Sequence, residues 1–489
     1  MAPEVQSLIY QPRLSQEIAT SFPHVVDVNQ AHTIMLAEKG IISGEVARGL
    51  ARALIEIERE GAQALAASPA LEDVHFNFEA ALIERAGADV GGRVHIARSR
   101  NDMGATIDRI RARHAYLQIT RELVGLRKVL LERAATHADA VMSGYTHLRP
   151  AQPVTFGFYL LGIAEAMERD HGRVAGAYGT INRCPMGAAA MAGTSFPIDR
   201  ERVAVLLGFD EVLAHAQDAV ASRDFLLELG SACAILGVTW SRLAQDLYVW
   251  STDEFGLIEL TDDVAGTSSI MPQKKNPVVM EFLKATSGEN IGSLVSVLST
   301  MRASHFTNSI DGVRASTAGA WQLLETTVRS LVIARLMVAA STPNRENMLR
   351  QVRRNFSTLT DVADLLVRDC GVTFREAHHV AGAAVRIALD RGLDSSKIDH
   401  TVLERAALEV LGRAISISPE QAVSSSDPQL SILQRKSMGA ASPGEIGRLN
   451  ARALERLRDD EATLERQVAQ QRAQREALKS AIATLAGSE

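Results

Sequence analysis

Between Gly266 and Pro277 the chain reads Gly-Thr-Ser-Ser-Ile-Met-Pro-Gln-Lys-Lys-Asn-Pro. Hydroxyls, ammonium groups and a carboxamide crowd a segment that two prolines and a glycine keep from forming a regular helix. A segment of this composition is commonly a surface connector, but its groups also suit anion binding in a loop that closes over a ligand. Two further clusters have related chemistry. Arg98-Ser99-Arg100-Asn101-Asp102 follows the Gly91-Gly92 turn, and Arg100 is suited to grip a carboxylate through paired hydrogen bonds. Gly144-Tyr145-Thr146-His147-Leu148-Arg149-Pro150 adds a hydroxyl and an imidazole beside a turn.

The Gly266–Pro277 stretch resembles the signature loop of the fumarase/aspartase superfamily, Gly-Ser-Ser-x-Met-Pro-x-Lys-x-Asn-Pro. It departs only where Thr267 replaces the leading glycine, which reduces backbone freedom at that point. Arg98–Asp102 and Gly144–Pro153 resemble two motifs of the argininosuccinate lyase branch, with Arg149 where glutamine is usual. Glu281 stands five residues after Asn276, as a histidine-orienting glutamate does in that family. Weaker similarity runs through Ser222–Phe225, Phe374–His378 and Arg435–Ser437, so the resemblance spans essentially the whole chain.

The resemblance implies elimination of fumarate and an amine from an N-substituted aspartate. A proton must leave a carbon beside a carboxylate, so a base is needed on one face and cations and amides around the growing charge. By resemblance the base is Ser268, an alkoxide stabilised by Lys274 and loop N–H groups once closure excludes water. Lys274 and Asn276 would hold the carboxylate that accumulates charge. Ser99, Arg100, Asn101 and Thr146 would grip the substrate carboxylates, and His75 would lie near them. His147, oriented by Glu281, would help deliver a proton to the departing amine or polarise the site. Neither a metal nor an organic cofactor is implied. Singly these residues have plainer readings: Ser268 a turn residue, His147 a structural histidine, Glu281 a helix-start carboxylate, Arg100 a surface ion pair. Four clusters supplying the residue types of one elimination reaction outweigh those readings.

The resemblance breaks after the loop. Argininosuccinate lyases carry Tyr-Asn-Arg-Asp-x-Gln-Glu-Asp-Lys, whose Tyr, Gln and Lys help recognise the arginine-side half of the substrate. Counted without gaps from Asn276, those positions are Asn308, Val313 and Ser316, and of the local pattern only Asp311 survives. Each lost buried polar contact costs about 1–3 kcal/mol, so a different amine is expected. Ethylenediamine-N,N′-disuccinate or a similar aminopolycarboxylate is the first choice, argininosuccinate the second. A non-enzymatic, crystallin-like role is a further alternative, against which the complete set Ser268, Lys274, Asn276, His147, Thr146 and Arg100 counts.

The elements that must position these groups are helices. No proline falls between Pro69 and Pro150, Pro197 and Pro272, or Pro277 and Pro343. Leu123, Leu126, Leu130 and Ala134 recur at helical spacing, as do Leu226, Leu229, Cys233, Leu236, Trp240 and Leu243, and then Leu324, Val328 and Leu331. Aromatics are only 4% of the chain, so aliphatic residues must fill the core. The expected fold is all-α, with the superfamily's three domains at 1–101, 102–350 and 351–489 and a central long-helix bundle. Helices this apolar imply self-association, and the family implies a homotetramer with active sites shared between subunits. The net charge of −6 and the absence of a basic run speak against nucleic acid as a partner. No signal peptide or membrane span is expected. Three scattered cysteines fit a reducing cytoplasm and no zinc site.

Overall fold

The proline-free stretches become the longest helices of the protein. In the computed structural model, which describes residues 1–487, the first holds Arg100–Thr136 and the second Asp224–Trp250. The third holds two helices, Val278–Met301 and Thr317–Ala340. The break has a steric cause in part: a Cβ on Gly312 would sit 2.7 Å from the Ser304 side chain, so the chain folds tightly back on itself there. Proline is not an absolute bar elsewhere, since Pro23 lies inside the Gln11–Glu38 helix.

These four helices and Phe156–Gly176 share one aliphatic core. Trp240 is fully buried in it, its indole N–H donating to the Leu283 carbonyl at 3.0 Å. The Asp224–Trp250 helix is apolar and long enough to cross a membrane by composition, yet it is a core helix, with 56% of its most apolar window buried. A second core joins Gln11–Glu38, Gly44–Glu60, Val74–Ala86 and the first turns of Arg100–Thr136. A third joins Leu359–Cys370, Phe374–Asp390 and His400–Leu411. The last helix, Pro443–Ala486, does not pack with that third group. Ile446, Leu457 and Leu464 enter the central core, whereas Leu478, Ile482 and Ala486 enter the N-terminal one.

The fold is all-α, and its strands are short pairs. The one that matters for the site is the antiparallel hairpin Val141–Thr146 and Arg149–Thr155, which helical periodicity did not foretell.

Several imidazoles are wholly or largely buried. Burial, with His114 and Arg111 adding to it, pushes His24 down to about 3; burial with Arg98 does the same to His32. Burial pushes His75 down to about 4 against the opposing pull of Asp73. An unfolded chain binds these protons below its ordinary value of 6.5, while the folded chain refuses them until pH 3–4. Their contribution to stability is therefore complete above pH 6.5 and is lost as the pH falls through that interval. The thermal midpoint is expected to drop steadily on acidification; a midpoint that stayed level would show that these rings reach solvent.

Candidate active site

The Arg98–Asp102 segment is shaped by its own backbone needs. Ser99 is the N-cap of the Arg100–Thr136 helix, accepting from the Asn101 N–H at 3.3 Å, while its own N–H donates to Asp102 at 2.9 Å. This reciprocal cap satisfies two helix-end donors. The second carboxylate oxygen of Asp102 accepts from the Gly187 and Ala189 N–H groups at 3.0 and 2.9 Å. Sequence reading assigned Asp102 no part beyond the motif, yet it ties the motif to a distant loop.

Arg100 stacks on Phe76 at 4.2 Å, and its guanidinium donates to Glu72 at 2.8 Å and Asp73 at 3.0 Å. Asp73 also caps the Val74–Ala86 helix, accepting from the His75 N–H. Burial would push the Asp73 carboxyl up, but His75, the Phe76 N–H, Arg100 and Arg13 outweigh it and hold the group below its ordinary value. Asn101 donates to the Ala190 carbonyl and accepts from the Asn308 side chain at 2.6 Å. Asn308, one of the positions expected on the amine side, thus stands directly against the Arg98–Asp102 motif.

A cavity of about 150 Å³ opens here, lined by His75, Arg100, Asn308 and Val313 among others. Ser316 is not on its wall; that hydroxyl is buried and donates to the Gly312 carbonyl at 2.7 Å. Arg314 lines the cavity instead, as do Arg13 and Glu17 from the Gln11–Glu38 helix. Sequence reading overlooked Arg13 and Glu17; their four-residue spacing, which makes a 2.6 Å ion pair, was the available signal.

The signature loop is cinched at its base. Gly266 and Asn276 exchange two backbone hydrogen bonds of 2.8 Å, and the Asn276 side chain donates to the Thr267 carbonyl. Within the loop the half-buried Ser268 Oγ accepts from the Met271 N–H at 3.1 Å and, more weakly, the Ile270 N–H at 3.5 Å. Two N–H dipoles aimed at one hydroxyl oxygen stabilise negative charge on it. The two lysines part company. Lys275 pairs with Asp262 at 2.6 Å and Glu259 at 3.2 Å, whereas Lys274 is exposed and makes no ion pair among the described residues. Glu281, in the first turn of the next helix, lines a solvent-open depression with Lys274 and Asn276.

Thr146 and His147 are exposed at the tip of the hairpin. His147 and Leu148 form its two-residue turn with φ of 54° and 55°, a left-handed conformation that costs non-glycine residues on the order of 1 kcal/mol each. The base is held firmly: Ser143 bonds Ser357 at 2.9 Å, and Tyr145 packs on Phe255. The side chains of His147 and Glu281 make no hydrogen bond or ion pair within the chain among the described residues. Neither Ser268, Lys274, Thr146 nor His147 lines the cavity that holds His75 and Arg100. One chain therefore presents three separate fragments: the Arg98–Asp102 motif with the cavity wall of Asn308 and Val313, the hairpin tip, and the loop with Glu281.

The family model described as lyase matches residues 5–292, and that for the argininosuccinate lyase C-terminal region matches residues 356–424. Argininosuccinate lyase 1 of Shouchella clausii is 38% identical over 445 residues, spanning 91% of this chain and 89% of that one. Argininosuccinate lyase of Methanothermobacter thermautotrophicus is 38% identical over 418 residues, 86% and 89% of the two chains. The crystal structure of EDDS lyase in complex with formate matches at 31% identity with a TM-score of 0.87, covering 99% of this chain and 96% of that one. Class II fumarase from Schistosoma mansoni shares the fold, with a TM-score of 0.69 at 17% identity over 85% and 91% of the chains. Fold and motifs together define the helical lyase class of the fumarase/aspartase superfamily. Within it the chain belongs to the argininosuccinate lyase branch and is a carbon–nitrogen lyase that forms fumarate.

The loop base offers a direct test. A Cβ on Gly266 would lie 2.5 Å from a Val278 methyl, closer than side chains approach. Gly266→Ala is expected to splay the Gly266–Asn276 bridge, so kcat for fumarate formation falls at least about tenfold while the thermal midpoint changes little, because the loop lies outside the core. Unchanged kcat would show that the bridge does not position the loop.

Proposed function

We propose that the protein eliminates fumarate from an N-substituted L-aspartate, with ethylenediamine-N,N′-disuccinate or a similar aminopolycarboxylate as preferred substrate. Ser268 is the base. Its two backbone donors favour the alkoxide, and it removes the proton beside the carboxylate, whose growing charge Lys274 and Asn276 hold. Arg100, Asn101, Ser99 and Thr146 orient the substrate carboxylates, with His75 close by as a neutral imidazole. The carbon–nitrogen bond breaks as the double bond forms, and the amine leaves with a proton delivered through His147, which Glu281 orients.

The observation that carries the substrate assignment is the amine-side wall, where Asn308, Val313 and Arg314 face the cavity. The similarity to EDDS lyase across 99% of the chain supports the same choice. Argininosuccinate is the second reading, favoured by the 38%-identical relatives named argininosuccinate lyase.

The separation of the three fragments supports a homotetramer in which each site draws on several subunits. Apolar side chains left exposed on the central helices, Ile235 and Val238 on one and Ile291, Val295 and Leu298 on another, give such an assembly its contact faces.

Fumarate release, followed by its ultraviolet absorbance, decides the chemistry. Ser268→Ala is expected to lower the rate about 10²–10⁴-fold. Turnover of the disuccinate in preference to argininosuccinate supports the assignment; the reverse preference makes the chain an arginine-pathway enzyme. Subunit sharing has its own test. Inactive Ser268→Ala and His147→Ala proteins, dissociated and reassembled together, are expected to regain activity, because mixed tetramers contain some sites with both residues intact. A mixture that reassembles yet stays inactive would place each whole site on a single chain.

A further inference from the structure

The hairpin from Val141 to Thr155 holds one permanent charge. It contains no Asp, Glu or Lys, so nothing within it answers the guanidinium of Arg149. Arg149 is exposed beside the tip and, among the described residues, makes neither an ion pair nor a side-chain hydrogen bond. Glutamine is usual at this position of the motif, so the tip carries a charge that the motif ordinarily lacks.

The register of the hairpin decides which way that charge faces. At the base Val141 pairs with Thr155, Met142 with Val154 and Ser143 with Pro153. Continued unbroken, that register would set Pro150 against Thr146 and leave Arg149 in the loop. Instead it shifts between Ser143 and Tyr145, so that Tyr145 pairs with Pro150 and Thr146 with Arg149. A bulge of this kind re-aims the side chains beyond it. Gly144 makes room for it, since a Cβ there would lie 3.1 Å from the Gln152 carbonyl oxygen. Residues directly opposite in an antiparallel pair share a face, with Cβ atoms about 5 Å apart. The side chains of Thr146 and Arg149 therefore rise from one face of the hairpin.

The platform beneath them is fixed. His147 and Leu148 close the turn in the left-handed conformation, and Pro150 holds the backbone of Arg149 extended. Tyr145 packs on Trp250 and Phe255, and the Gln152 side chain donates to Thr360 at 3.3 Å. Arg149 keeps freedom only in its own side chain, so its guanidinium stays within reach of whatever Thr146 touches.

We propose that Arg149 is a specificity-determining residue of the elimination: its guanidinium joins Thr146 on a single carboxylate in the fumarate-forming half of the substrate. This rests on the reading of Thr146 as a carboxylate contact. A hydroxyl gives that carboxylate one neutral hydrogen bond, and a guanidinium adds two charge-assisted ones in its plane. The pair demands full negative charge at that position. Fumarate keeps this carboxylate after the carbon–nitrogen bond has broken, so the same contact holds the product.

Fumarate is accordingly the probe. Arg149→Gln restores the usual residue at an exposed position, and its thermal midpoint is expected to match that of the wild type. Its inhibition constant for fumarate, read against whichever of ethylenediamine-N,N′-disuccinate and argininosuccinate is turned over, is expected to rise at least about tenfold. Arg149→Lys, which keeps the charge without the planar fork, falls between. In a double-mutant cycle with Thr146→Val the two losses are expected to be non-additive, because both groups hold one carboxylate. Unchanged fumarate affinity in Arg149→Gln overturns the proposal, and so do strictly additive losses in the cycle. Titration calorimetry with fumarate reads the contact without turnover. A wild-type protein whose fumarate binding depends on Arg149, yet which releases no fumarate from either substrate, upholds the contact and sinks the lyase reading.

Discussion

A single buried carboxylate, Asp102, holds the carboxylate motif in the only arrangement that makes it useful. It has no exposed surface and accepts from four backbone N–H groups, those of Ser99, Met103, Gly187 and Ala189. Burial pushes its carboxyl up to about 6, and the N–H groups and Arg98 pull the other way. Those bonds start the Arg100–Thr136 helix at Arg100 and bring the 187–190 loop against Asn101, whose side chain then reaches the Ala190 carbonyl. The cap sets the rotation of a helix whose one face supplies Arg100 and Arg111, so the direction of the whole cavity follows from it.

Farther along, the same helix is fastened by arginines rather than by apolar contact alone. Arg113 donates to Asn182 and to the Leu207 and Gly208 carbonyls, and Arg127 pairs with Asp460 of the last helix. Buried guanidiniums need their acceptors in place, so these pairs are unforgiving of slippage. They hold a long helix in one register, and with it the residues it turns toward the cavity. The loop and the hairpin tip are the opposite case: they stand outside the cores and are cinched or anchored at their bases.

This division of labour bears on stability and assembly alike. A chain that leaves in water a strained His147 turn, and a Lys274 with no ion pair among the described residues, gains nothing from them as a monomer. In the proposed homotetramer that cost is offset where hairpin, loop and cavity meet, with the apolar faces of the central helices as its contact surfaces.

The sequence by itself determined the all-α class, the long helices and the chemistry of the motifs. Each of these is written in local terms: proline placement, a three- and four-residue apolar rhythm, and short runs of residues with defined hydrogen-bonding capacity. Counting from Asn276 along the family pattern also singled out Asn308, Val313 and Ser316 as expected amine-side positions. Only the tertiary structure decided which side chains reach the cavity. Ser316 turned inward because its hydroxyl found a carbonyl one helical turn back, and Arg314 took the wall in its place. Arg13, Glu17 and Arg111 joined from two helices that lie far apart in sequence, meeting across a distance no local pattern encodes. The hairpin that carries His147 escaped the helical reading for the same reason: its strands are held by one another and by Ser357 and Phe255, not by any periodicity of their own.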